Sequence, residues 1–179
     1  ACTLGERGID VTVFEKNDRV GKKLLSTGNG RCNMTNLGAL PEDYFDCAGF
    51  IAPAFQKYPP QSNIDFFERH GLYTRTDSEG RVYPLSNQAS SVLDCLRFEC
   101  ERLGVRLVCS YDVKSVEKKG CRYIINGKDT FDCIVFACGG CAAVKDFNAY
   151  SLLAPFGHKV TKTAPSLTKL ITDDKITKQ

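Results

Sequence analysis

The run Ile9-Asp10-Val11-Thr12-Val13-Phe14-Glu15 restricts the fold more than any other feature: it is rich in β-branched residues and ends on a carboxylate. Such a run reads as a strand. Residues 1–8 read as the end of a helix stopped by Gly8, since glycine supplies the left-handed conformation that closes a helix. Helix end, strand and terminal acid make the second half of a βαβ unit. In a dinucleotide-binding fold, the acid ending the second strand accepts hydrogen bonds from ribose hydroxyls and lies about 20 residues beyond a glycine fingerprint. Glu15 takes that place. Counting back lands before Ala1, so the first strand and its Gly-rich phosphate loop are expected to be missing. Alternatively, Glu15 is a solvated carboxylate at a strand end.

A second feature follows directly. Gly21-Lys22-Lys23-Leu24-Leu25-Ser26-Thr27-Gly28-Asn29-Gly30-Arg31-Cys32-Asn33-Met34-Thr35-Asn36 is dense in small and hydrogen-bonding residues. Glycines let a backbone approach a ligand closely and present its amides without side-chain obstruction. Lys22 and Arg31 suit phosphate charge, and Asn33 can donate and accept at a heterocycle edge. A plain glycine-rich surface loop explains the turn residues but not the basic residues at both ends. The loop is expected to run from Lys16 to Asn36.

Beyond it, residues 37–61 read as irregular, with aromatics and Pro59-Pro60. Ser62-Asn63-Ile64-Asp65 reads as a capping box opening a helix that ends before Gly71. Tyr73–Thr76 and Arg81–Tyr83 flank a turn and predict a hairpin. From Ser90 to Leu103, Val92, Leu93, Leu96, Cys100 and Leu103 share one helical face, closed by Gly104. The period then changes. Val105–Cys109, Val113–Glu117 and Tyr123–Ile125 alternate like strands, and Asn126-Gly127 is a turn signal. Asp132–Ala137 is the apolar run expected of a central parallel strand, broken at Gly139-Gly140. A helix near Asn148–Phe156 and the segment Gly157-His158-Lys159-Val160 precede a polar tail.

Ligands in open α/β sheets gather at the carboxyl ends of strands, so Cys138, Gly139 and Gly140 form a third candidate site. Four stretches result: 1–36 holds the second strand and ligand loop, 37–104 a helical and hairpin insertion. Residues 105–131 hold an antiparallel β-meander, and 132–179 the return strand, a helix and the start of a next domain.

Bulk properties remove other classes. The formal net charge of +3 is small and not gathered into a block, so charge supports neither a nucleic-acid nor an anionic-membrane partner. No apolar stretch approaches the roughly 18 residues that span a bilayer, and no basic-then-apolar leader opens the chain. Ten cysteines are many. They sit inside periodic apolar segments, which predicts small buried thiols in a reducing cytoplasm rather than a disulfide scaffold. The chain begins with Ala1 and has a single methionine, Met34, as expected of a piece of a longer product or a truncated gene model.

Together these motifs carry a resemblance. Val13-Phe14-Glu15-Lys16-Asn17 followed by Gly21 to Asn36 resembles the hallmark of the aminoacetone oxidase-like, or BaiN-like, bacterial FAD-binding flavoproteins of the glutathione-reductase-type superfamily. Gly80-Arg81-Val82-Tyr83-Pro84-Leu85-Ser86-Asn87-Gln88-Ala89-Ser90 resembles a second signature, Ala137-Cys138-Gly139-Gly140 its Ala-Thr-Gly-Gly, and Gly157 to Val160 a later landmark. The likeness runs from Ala1 to about Leu170. It implies a three-layer FAD/NAD(P)-binding Rossmann-like α/β domain and an FAD-dependent oxidoreductase acting on a small organic substrate, with NADH or NADPH as a candidate electron donor. Glu15 would hold the adenosine ribose, with Lys16 and Lys22 near the adenosine diphosphate. Ser26, Gly28, Gly30, Arg31, Cys32 and Asn33 would line the flavin and its ribityl chain. Val113 would present its backbone to adenine, and Cys138 to Gly140 would pass close to the dinucleotide. Activities within the group include amine oxidation and reduction of conjugated steroid-like ketones.

The chain departs from the pattern after Gly140, where Cys141 to Ala149 lacks the usual Gly, Ser and Thr, and at Pro155 inside an expected helix. Two other readings stand: a truncated, non-catalytic remnant without stable flavin binding, and a thiol redox protein using Cys138 and Cys141. His70, at a helix end, suits the helix dipole without a catalytic role. No metal set emerges from spacing, and no residue qualifies as catalytic acid or base.

Overall fold

A computed structural model describes residues 1–44, 47–140 and 149–163. It divides into two compact units, residues 1–112 and 113–179, each taken by itself.

In the first unit, helix α1 (Cys2–Gly5) leads into strand β1 (Thr12–Phe14), which is shorter than the β-branched run. Its only partner among the described residues is β5 (Arg106–Val108), in parallel register with Val13 opposite Leu107. That pairing corrects the expected meander: residues 106–108 belong to a parallel pair. An alternating run shows which face is buried but says nothing about which strand lies alongside.

The stretch 16–36 is not all loop. Helix α2 (Lys22–Ser26) and a 3-10 turn (Thr27–Gly30) occupy it, and β2 (Thr35–Asn36) closes it. Nor is 37–61 irregular. Helix α3 (Ala48–Lys57) forms there despite Pro53, because Ala48, Ile51 and Phe55 fall at helical spacing and are the partly covered side. An interior proline costs roughly 3 kcal/mol, which hid this helix from a propensity reading.

Helix α4 (Pro60–Arg69) starts earlier than the Ser62 capping box predicts. Pro60 takes the first turn, where its fixed φ suits a helix. Ser62 Oγ instead donates back to the Pro59 carbonyl at 2.7 Å. Strands β3 (Thr74–Thr76) and β4 (Arg81–Pro84) form the expected hairpin, and β2 adds to the other edge of β4. Helix α5 (Ala89–Arg102) matches its predicted span and face. One side of it packs Val92 and Ala89 with Cys32 and Leu72. Another part sets Cys100 with Cys2 and Val105.

The second unit contains the meander, confined to β6 (Val116–Lys119), β7 (Arg122–Ile125) and β8 (Asp129–Phe131). Asn126 and Gly127 have φ of 50° and 74°, the primed turn that the dipeptide predicts. The run 132–137 is not a central strand: no strand pairs with it among the described residues, and Val135 is 77% exposed. An apolar run becomes a buried strand only with a ladder on both edges and layers on both faces. Ala149–Phe156 is a 3-10 helix with Pro155 inside it. Residues 141–148 and 164–179 lie outside the described residues.

Candidate functional site

The Gly28–Asn33 loop is held at both ends. Before it, Gly21 brings α2 onto α5 so closely that an added Cβ would lie 2.4 Å from Leu93 Cδ1. After it, Met34 N–H donates to the Val82 carbonyl at 2.8 Å and commits the chain to β2. In between, Gly28, Asn29, Gly30 and Cys32 all have positive φ. Gly28 cannot carry a side chain: its Cβ would sit 2.4 Å from the Asn33 amide nitrogen, at a φ of 55°. Among the described residues nothing lies within 4 Å of the equivalent point on Gly30, so that face of the loop is open to them.

The predicted residues of this unit divide into two sets. Asn33 is exposed. The exposed Arg31 places its guanidinium 4.5 Å over the Tyr83 ring, with Nε 3.4 Å from the Gly28 carbonyl. The Cys32 side chain faces the core. It is buried in the cluster of Leu72, Ala89 and Val92, and its N–H donates to the Thr27 carbonyl at 3.1 Å. The exposed Ser26 donates its Oγ hydrogen to the Lys23 carbonyl at 2.8 Å.

Glu15 follows the last residue of β1. Its N–H donates to Val108 and its carbonyl accepts from Tyr111. Asn17 donates twice to Oε1, from its backbone at 2.8 Å and its side chain at 2.7 Å. This turn fixes the carboxylate and leaves Oε2 for another donor. Lys16 pairs with Asp112 at 3.6 Å, and Lys22, the first residue of α2, pairs with Asp18 four residues earlier. The Lys22 hydrogen bond holds the Asp18 carboxyl below its ordinary range. Both lysines are thus positioned by acids of their own unit.

Val113 and Cys138 to Gly140 belong to the other unit. Val113 is half-buried and Cys138 exposed. Gly140 lies against Tyr150, whose hydroxyl is 3.3 Å from the site of an added Cβ. Cys141 lies outside the described residues, so the proposed dithiol pair has no described geometry.

Sequence spacing missed one cluster. His70, at the end of α4, is not simply a dipole cap. Its Nδ1 lies 2.6 Å from the Phe66 carbonyl, while Nε2 is 3.1 Å from Glu6 and 3.3 Å from Glu99. Three stretches distant in sequence meet here, and no local pattern could reveal that. The Arg102 guanidinium, hydrogen-bonded to Glu99, holds that carboxyl below its ordinary range. Nearby, Cys2 and Cys100 place their sulfurs 3.6 Å apart. Burial, with Cys2 adding to it, pushes the Cys100 thiol up to about 11.

A parallel strand pair with an acid at the carboxyl end of its first strand is an arrangement found in the Rossmann-type class of α/β proteins. The HI0933-like protein Rossmann domain matches residues 1–169, and the chain belongs to that family. It is similar to the 3-dehydro-bile acid delta(4,6)-reductase of Clostridium scindens, 30% identical over 177 residues, covering 95% of this chain and 43% of the relative. It is also similar to two ribosomal RNA dihydrouridine synthases. The Haemophilus influenzae protein is 25% identical over 170 residues, or 90% of this chain and 41% of the relative. The Escherichia coli protein is 29% identical over 167 residues, 90% and 40% respectively. The chain thus spans less than half the length of each relative.

Proposed function

We propose that this chain is the cofactor-holding part of an FAD-dependent oxidoreductase that acts on a small organic substrate. The observation that carries the reading is the clamped Gly28–Asn33 loop, one face of which is open above Gly30. Family membership supports it. When bound, FAD supplies the hydride chemistry. The chain's own residues do the rest. Glu15 Oε2 accepts from a ribose hydroxyl while Asn17 holds Oε1. Arg31 and the Asn33 amide donate to the polar edge of the flavin portion, and Lys16 and Lys22 offset diphosphate charge. NADH or NADPH is the proposed electron donor.

The relatives favour reduction of a carbon–carbon double bond, because the first is named a bile-acid reductase. A second reading comes from the two ribosomal RNA dihydrouridine synthases: the reducible bond lies in a pyrimidine of RNA. This reading stands against the expectation, drawn from charge, that nucleic acid plays no part. The described cysteines are free thiols, and no described helix is long and apolar enough to cross a membrane.

The test is titration of the purified protein with FAD, followed by anaerobic mixing with NADH or NADPH. Stoichiometric binding that Glu15→Ala weakens about tenfold, then bleaching of the flavin band, is the expected result. Absence of FAD binding would overturn the reading in favour of a non-catalytic remnant. Reoxidation by a conjugated steroid ketone or by unmodified ribosomal RNA separates the two substrate classes.

A further inference from the structure

The Glu6–His70–Glu99 cluster belongs to no part of the proposed flavin site. The imidazole side chain is 7% exposed and that of Glu99 9%, whereas Glu6 is 33% exposed and opens one side to solvent. His70 Nδ1 is within hydrogen-bond distance of the Phe66 carbonyl at 2.6 Å. Donation there is the arrangement that fixes the tautomer of a metal-binding histidine and directs the Nε2 lone pair to the other side. On that side are Oε1 of Glu6 and Oε1 of Glu99, and all three atoms lie within 4.8 Å of one another. The nitrogen-to-oxygen separations are 3.1 and 3.3 Å. Adjacent ligands of a tetrahedral zinc ion with bonds of about 2.0–2.2 Å stand roughly 3.3–3.6 Å apart. The two edges that run from Nε2 to the carboxylate oxygens are therefore close to those of a tetrahedral face.

We propose that Glu6, His70 and Glu99 form a binding site for a divalent transition ion of the zinc class, with the fourth position open beside Glu6. One nitrogen and two carboxylate oxygens suit such an ion better than magnesium or calcium, which take all-oxygen sets. Arg102 is the opposing group: its guanidinium donates to both oxygens of Glu99, at 2.6 and 2.9 Å. Ion binding takes Oε1 from Arg102 and leaves the Nε hydrogen bond to Oε2. The ion ties the end of α1 to α4 and α5, a structural role independent of the flavin reading.

The test uses the whole chain in a non-thiol reductant, titrated with Co2+ and Zn2+ and followed by visible absorption and melting temperature. The expected result is one ion bound with d–d bands of nitrogen and oxygen ligands, a raised melting temperature, and loss of about 100-fold in affinity in His70→Gln. Arg102→Gln removes the competing cation and is expected to tighten binding several-fold, which keeps the test decisive if the His70 variant does not fold. Only thiolate charge-transfer bands, no binding, or affinity unmoved in both variants would overturn the proposal and leave the cluster as an imidazolium–carboxylate ion pair.

Discussion

The guanidinium carbon of Arg31 stands 4.5 Å above the ring of Tyr83, which ties the ligand loop to the buried strand β4. Tyr83 is 4% exposed, so its ring is a fixed platform. Arg31→Gln is expected to lower stability by about 0.5–1 kcal/mol, the usual size of such a contact near the surface, read as a shift in urea midpoint. Tyr83→Phe retains the ring face and should leave Arg31 in place.

Gly28 and Gly30 separate two roles of glycine in the same loop. Gly28→Ala drives a Cβ into the Asn33 backbone, whereas at Gly30 the added methyl meets open space. Both also adopt positive φ, costing roughly 1–2 kcal/mol for any other residue. Gly28→Ala is expected to be the more destabilising in thermal unfolding. If Gly30→Ala leaves the fold nearly intact but weakens FAD binding, the open face is the ligand face.

Val92 is 1% exposed at the centre of the cluster under the loop. Val92→Ala is expected to cost about 2–3 kcal/mol, combining lost burial with the cavity left behind. Denaturant unfolding measures it.

The Arg81 guanidinium beside Asp77 holds that carboxyl below its ordinary range, and the Glu79 and Arg81 backbone N–H groups add to the effect. A depressed folded value means the stabilisation is fully present above the unfolded value near ~3.9 and lost as pH falls through the folded one. Asp77→Asn should therefore lower the hairpin's stability at neutral pH and match the parent in strong acid, as hydrogen exchange against pH would show.

Cys100, protonated at neutral pH and buried with Cys2, should resist alkylation, while exposed Cys47, Cys121, Cys133 and Cys138 react at once. Peptide mapping after timed iodoacetamide treatment distinguishes the two groups. Prompt labelling of Cys100 in folded protein would contradict the packing around it.

Some of this was legible in the residues. The β3–β4 hairpin, α5 and its buried face, and the Asn126-Gly127 turn are written locally, since each depends on near neighbours and backbone preference. The ligand loop was legible as composition. Its division of labour was not: Cys32, at a φ of 59°, packs with Leu72, Ala89 and Val92, which lie far from it in sequence.

By itself the sequence determined the α/β class, the acid at the end of β1 and the glycine loop after it, because hydrophobic period and glycine placement act over a few residues. Only the tertiary structure decided that β5 lies parallel beside β1, that 132–137 lies open, and that Glu6, His70 and Glu99 converge. Pairing partners and side-chain clusters depend on what packs across the core. A one-dimensional pattern tells which face of an element is covered but not what covers it.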